Sequence, residues 1–279
     1  IFSVGQVVPH EVAGMANGVK NVLVGAGGLD TINMTHFLGA AYGMERMMGR
    51  ARTPVRAVLE YARQHYLGRL PIVYIMTVMA RHRSAMVMRG LYVGDDAEAF
   101  ELAAQLSRQV NVTLLDKPQE RVVANLEPDE FTSTWLGNKA IYRTRMAIAD
   151  GGELIVIAPG VRTFGEDPEI DRLIRLYGYR GTPATMKAVN RDKELRRNLS
   201  AAAHLIHGSS EGRFRVVYAT DPALLSRQEV ESVGFEWRDV SEVRQQYPLA
   251  SLADGPQDGF YYVSCPALGL WAVKDRFAG

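Results

Sequence analysis

Three side chains in the first forty residues are of the kinds that move protons, form covalent adducts or bind metals: His10, Lys20 and His36. His10 follows an apolar run in VVPHEVAGMANGVKN, at the end of a predicted strand, where α/β folds expose functional groups. An imidazole there exchanges protons near neutral pH; alternatively it is a loop histidine bonded to a backbone carbonyl. Lys20 lies inside the β-rich run VKNVLV. Burying its charge is costly, so it either snorkels from an edge strand or is a covalent or low-pKa lysine. His36 is either a helix-start residue packed on Phe37 or a metal ligand, the second only if a cofactor supplies the other donors. Gly25, Gly27 and Gly28 form a turn, GAGG, that lets a phosphate or a pyridine ring approach the backbone. It falls short of a GxGxxG fingerprint and serves equally as a plain turn.

The order of these residues is more specific than any one of them. The run VVPHEVAGMANGVKNVLVGAGGLDTINMTHFLGAAYGMERMMGR resembles the nickel-dependent lactate racemase family, in which a His, a Lys ten residues later and a His sixteen residues after that form the cofactor site. The likeness continues through TPVRAVLEYA, GLYVGDDAEAFELAAQLSRQVNVTLLD and GGELIVIAPG. It implies a nickel pyridinium-3,5-bisthiocarboxylic acid mononucleotide (a pincer cofactor) tethered through a thioamide at Lys20 and close to Gly25, Gly27 and Gly28. It implies His36 as the residue completing nickel coordination, and His10 as one of two acid/base residues. The second acid/base residue and the phosphate-binding residues lie upstream in the family. The implied reaction is racemisation or epimerisation of a 2-hydroxy acid by hydride transfer, with cofactor-maturation proteins as partners.

A further implied position is a substrate-holding lysine of the second domain. It falls on Lys139 in TWLGNKAIYRTRM, where an exposed helix-start lysine is the alternative. Leu136 stands where many lactate-type members carry Gln, which points to a 2-hydroxy acid other than lactate, such as a sugar acid. In LSAAAHLIHGSSEGRF, His204 and His207 are spaced to share one helix face. His204 is expected to line the substrate cleft, and His207 to cap the helix C-terminus. Arg143 and Arg145 either bind carboxylate or are exposed helix charges. Two other function classes compete: a nicotinamide- or metal-dependent oxidoreductase, which wants a fuller nucleotide fingerprint, and a non-catalytic relic that binds cofactor or acid.

The elements that would position these groups alternate between strand and helix. Strands are expected over 1–8, 19–24, 70–79 and 110–115, and helices over 35–48, 53–65 and 95–108. Beyond Asp116-Lys117-Pro118 a second alternation begins. Its strands are 122–124, 153–158, 213–218 and 260–264, and its helices 135–149, 168–177, 191–206 and 226–233. Such alternation predicts an α/β fold of two layered domains with largely parallel sheets and an active-site cleft between them. The expected boundaries are 1–117, the C-terminal part of a cofactor-binding domain whose upstream part is missing; 118–259, a second α/β domain; and 260–279, returning to the first. The upstream absence is expected because Ile1 enters directly into a strand pattern.

The chain has 279 residues, 47% of them hydrophobic and 23% charged, with a net charge of +1. That is enough for two cores. The densest basic runs, Arg81-His82-Arg83 and Arg196-Arg197, are too short for a nucleic-acid stripe, and no apolar run reaches the length of a membrane span. One cysteine, Cys265, excludes an intrachain disulfide and a Cys-rich zinc site; it suits a reducing, cytoplasmic setting.

Overall fold

The computed structural model describes residues 1–82 and 85–278; Arg83 of the first basic run lies outside them. Chain contacts divide it into two units: Ile1–Thr113 with Leu268–Leu270, and Leu114–Ala267 with Trp271–Ala278.

The first unit is built on strands β1 (Phe2–Gln6), β4 (Val73–His82) and β5 (Ala85–Gly94), in the order β1-β4-β5. The β1–β4 pair is parallel and the β4–β5 pair antiparallel. Two short strands, β2 (Pro9–His10) and β3 (Gly14–Met15), pair separately. Strand alternation turns Tyr74, Met76 and Val78 toward helix α4 (Ala97–Asn111), where Phe100, Ala103 and Ala104 close the core. Asp96 accepts the Ala99 N–H and caps α4, as Thr53 accepts that of Arg56 to cap α3 (Pro54–Ala62). Both caps satisfy orphan donors of the first turn. Pro54 stands at the first position of α3, where its missing N–H costs nothing.

Two local expectations are corrected in this unit and one strand is added. Residues 19–24 are helical, not a strand: Lys20 precedes a π-helical turn, Asn21–Gly25. A short run of branched residues fits either structure. Here Val19, Val22, Leu23 and Val24 pack into two hydrophobic clusters through helical spacing. Helix α1 runs Leu29–Tyr42, beginning at Gly28 well before Thr35 and stopping at Gly43, whose φ of 109° breaks it from α2 (Met44–Met47). Strand β5 carries no strong sequence signal of its own.

Strand β6 (Val112–Leu115) pairs with β13 (Leu270–Val273). The second unit holds a six-stranded sheet. Its strands are β7 (Gln119–Asn125), β8 (Ile148–Ile157), β9 (Arg215–Thr220), β10 (Glu236–Asp239), β11 (Gly255–Pro256) and β12 (Tyr261–Val263). Their order is β10-β9-β8-β7-β12-β11, parallel except at β11–β12. Of the segment expected to return to the first unit, only Leu268–Leu270 groups with it; Tyr261–Val263 pairs with β7 inside the second. The helix predicted over 135–149 is two short helices, α5 (Thr134–Gly137) and α6 (Lys139–Thr144), followed by β8, which starts five residues earlier than expected. Parallel pairing with β7 recruits Ile148–Gly152 through a register shift. Helix α7 (Pro168–Tyr177) forms as predicted. The helix expected over 191–206 is broken into two, following an unexpected α8 (Thr182–Arg191): α9 (Lys193–Arg197) and α10 (Leu199–His207). Asp192 and Asn198 each cap the helix that follows them.

Candidate active site

The loop from Pro9 to Gly28 carries most of the candidate residues. His10 ends β2, opposite Gly14 of β3. Its Nδ1 accepts the N–H of Val12 at 3.1 Å and, more weakly, that of Ala13 at 3.4 Å. An imidazole nitrogen that accepts carries no proton, so the neutral ring places its proton on Nε2. The Glu11 carboxylate stands 3.9 Å from the same Nδ1.

Helix α3 holds this loop. Thr53 donates to the Ala13 carbonyl, and Arg56 donates to the carbonyls of Met15 at 2.6 Å and Asn17 at 3.0 Å. The Arg56 guanidinium is buried and stacks 4.1 Å over the Phe100 ring. Burial lowers its pKa to about 10, against the opposing pull of Glu60. Asn17 and Gly18 turn the chain in succession with φ of 68° and 62°. The Asn17 side chain, which eases a left-handed backbone, accepts from Gly18 N–H and Asn21.

This turn delivers Lys20 into a largely buried position. Burial pushes its amine below the ordinary lysine value; Arg56 acts in the same direction and Glu11 against it. His36, two turns into α1, donates from Nδ1 to the Ile32 carbonyl at 2.7 Å, since a carbonyl only accepts. Its Nε2 lone pair is thereby left for a ligand, the arrangement of metal-binding histidines. Burial lowers the His36 pKa, Lys20 adds to the effect, and the Ile32 bond and Glu11 oppose it. Glu11, Lys20 and His36 therefore share one electrostatic neighbourhood, with His10 beside Glu11.

The three glycines differ in what they do. A Cβ at Gly27 would lie 1.9 Å from the Leu23 carbonyl, so the fold itself demands glycine there. At Gly25 and Gly28 a Cβ would meet nothing within 4 Å. Neither needs glycine for packing, and both leave open backbone at the N-terminus of α1. A separate cavity of about 300 Å3 is lined by Gly18, Val19, Arg56, Tyr74 and Phe100, among others; His10, Lys20 and His36 are not in its walls.

In the second unit, Leu136 and Lys139 are half-buried at the α5–α6 turn. Lys139 begins α6 with its ammonium 5.6 Å from the Phe131 ring centre. His204 is buried. Its Nε2 meets the Tyr179 hydroxyl at 2.9 Å and the Asn138 amide at 3.3 Å, and its ring stacks on Trp135 at 4.3 Å. Asn138 also accepts from the Tyr218 hydroxyl at 2.8 Å. His204, expected to line the substrate cleft, fastens through its ring nitrogen the turn carrying Leu136 and Lys139. His207 lies at the C-terminus of α10, in its last turn, and is buried. Arg143 and Arg145 are likewise buried, not exposed helix charges, and Arg145 donates to the Ser209 carbonyl at 3.1 Å.

No family model and no curated protein matches the chain. Solved structures do. A structural-genomics protein from Thermotoga maritima superposes with a TM-score of 0.82 at 23% identity, over 98% of this chain and 66% of that one. The lactate racemase apoprotein from Thermoanaerobacterium thermosaccharolyticum superposes with a TM-score of 0.72 at 15% identity, over 97% of this chain and 62% of that one. The fold is lactate-racemase-like. This chain spans just under two thirds of the length of either structure.

Sequence reasoning missed Glu11, Arg56, Asn138 and Tyr179. Arg56 had a readable signal: it is a cation beside Val55 and three residues before Leu59, on the apolar face of an amphipathic helix. No helix among the described residues is long and apolar enough to cross a membrane.

Proposed function

We propose that the chain belongs to a 2-hydroxy acid racemase or epimerase that works with a nickel-pincer cofactor held at Lys20 and His36. The observation that carries the proposal is the shared, half-buried neighbourhood of Lys20 and His36, where desolvation lowers the pKa of each base and so favours its neutral form. A neutral amine is the form that makes a covalent bond, and a neutral imidazole with a free Nε2 is the form that binds a metal. Among the described residues no three His, Cys, Asp or Glu side chains cluster to hold a metal ion. A metal bound through His36 would therefore draw most of its donors from an organic carrier. Gly25 and Gly28 leave room for such a group beside α1.

When bound, the cofactor supplies an electron sink for the hydrogen on the hydroxyl-bearing carbon together with its electron pair. The protein's task is then to hold the acid and move the hydroxyl proton. His10 is assigned to the second part, as the acid/base residue that exchanges the hydroxyl proton. Lys139 is assigned to the substrate carboxylate. Leu136, apolar where lactate-type members carry Gln, favours an acid larger than lactate.

Intact mass and nickel analysis of protein from cells that make the cofactor test the assignment. The expected result is one adduct on Lys20 with one nickel per chain, and loss of both in Lys20→Ala with an unchanged melting temperature. Full racemase activity in Lys20→Ala would rule the assignment out.

A further inference from the structure

We propose that the cavity between α3 and α4 is an effector site for a small carboxylate with an apolar body, held by Arg56 and Tyr74, whose binding steadies the loop leading to Lys20. His10, Lys20 and His36 do not line the cavity, so the inference stands apart from the cofactor assignment.

The charges around the cavity select the ligand's polar end. Three arginines and three carboxylates border it, and five of these six groups are already engaged. Arg52 donates to both oxygens of Glu101, at 2.9 and 3.1 Å. Arg63 donates to Glu60 at 2.7 Å. Asp96 caps α4, where the helix dipole favours an anion. Arg56 is different. Its Nη1 and Nη2 are given to the Asn17 and Met15 carbonyls, which carry no charge, and its Nε has no hydrogen-bond partner among the described residues. A buried cation without a counter-ion is costly. Desolvation lowers its pKa to about 10, and the pull of Glu60, itself held by Arg63, does not restore it. The Tyr74 hydroxyl is also buried without a partner, and it lies within electrostatic reach of Arg56. Two unmet donors call for an acceptor, and the cation calls for a charged one. A carboxylate supplies two oxygens and the charge together. Water would satisfy a donor but leave the charge uncompensated.

The rest of the lining selects the ligand's body. Val19, Ala51, Ala57, Ala97 and Phe100 make it largely apolar, and a sugar would lose the partners of its hydroxyls there. The volume of about 300 Å3 suits a single ring or a short branched chain; benzene occupies a cavity of about half that size. Because Arg56 also holds the carbonyls of Met15 and Asn17, an anion that fixes its guanidinium fixes that loop as well.

Benzoate is the probe and benzamide its uncharged counterpart, titrated into the unloaded 279-residue chain and followed by NMR at the Arg56 Nε–H. Benzoate is expected to saturate with a Kd of about 1 mM or tighter, and benzamide to bind at least about tenfold more weakly. Tyr74→Phe, which keeps the ring, should weaken benzoate about tenfold. Ala57→Leu, at an exposed helix position on the cavity wall, should abolish binding without lowering the melting temperature. Proteolysis within residues 13–20 should slow at saturating benzoate. Benzamide binding as tightly would remove the anion from the proposal. Undiminished benzoate binding in Ala57→Leu would place the ligand elsewhere, the substrate cleft included. No saturable shift at Arg56, or unchanged proteolysis at saturation, would overturn the effector site.

Discussion

His10 and Glu11 show how one hydrogen bond sets what a residue can do. With Nδ1 engaged by two backbone amides, His10 presents its Nε2–H as a donor. The Glu11 carboxylate stands 3.9 Å from Nδ1, where its charge favours the protonated ring. Glu11→Gln is therefore expected to keep cofactor loading and lower kcat by roughly 10–100-fold, the scale on which a partner orienting a functional histidine matters. A kcat within twofold of the parent would remove Glu11 from the mechanism. Nitrogen chemical shifts of His10 in the unloaded protein should show the Nε2–H tautomer. Of these residues, the sequence made His10, Lys20 and His36 legible by type and spacing. Glu11 was not legible, because a carboxylate in a loop has no signature until the turn places it.

Among the elements, α3 does most to shape the candidate site. Among the described residues no carboxylate hydrogen-bonds its Arg56, whose Nη1 and Nη2 donate to two carbonyls of the loop between His10 and Lys20. Arg56→Met keeps much of the volume but leaves those carbonyls without a donor. The expected cost is about 2–4 kcal/mol, from two charge-assisted hydrogen bonds and the stacking on Phe100. Thermal unfolding measures that cost, and proteolysis within residues 13–20 should quicken at the same time. An unchanged melting temperature would mean that the loop holds itself. Helix α10 acts in a comparable way in the second unit, where His204, Tyr179 and Asn138 tie it to the α5–α6 turn. In both cases the polar residue sits at a core position, so it reads as a surface or site residue until its partners are known.

Over the whole molecule, surface ion pairs contribute little, but the shared clasp on Arg175 has a clear pH signature. Asp171 is pushed up by burial and pulled further down by Arg175 and the amides of Phe164 and Gly165, so its pKa ends below 3.8. Glu229 is held below 4.5 chiefly by Ser226, with Arg175 assisting. Folded values lying below the unfolded ones stabilise the protein fully above the unfolded pKa, and that stability is lost as pH falls through the folded values. The melting temperature should thus be flat above about pH 5 and fall below about pH 4. Asp171→Asn should cost about 1 kcal/mol at neutral pH after solvent screening and flatten the acid limb; an acid limb unchanged in that variant would place the effect elsewhere. By itself, the sequence determined the α/β class, the helices α3, α4 and α7 and the chemically capable residues of the first forty positions. Hydrophobic period, caps and residue type are local properties, readable within a window of ten or fifteen residues. Tertiary structure alone decided that 19–25 is helical, that 148–152 joins β8, that β5 is a strand at all, and that Lys20 and His36 come half-buried within electrostatic reach of one another. Each depends on a partner distant in the chain, and burial, pairing and desolvation exist only once that partner is in place.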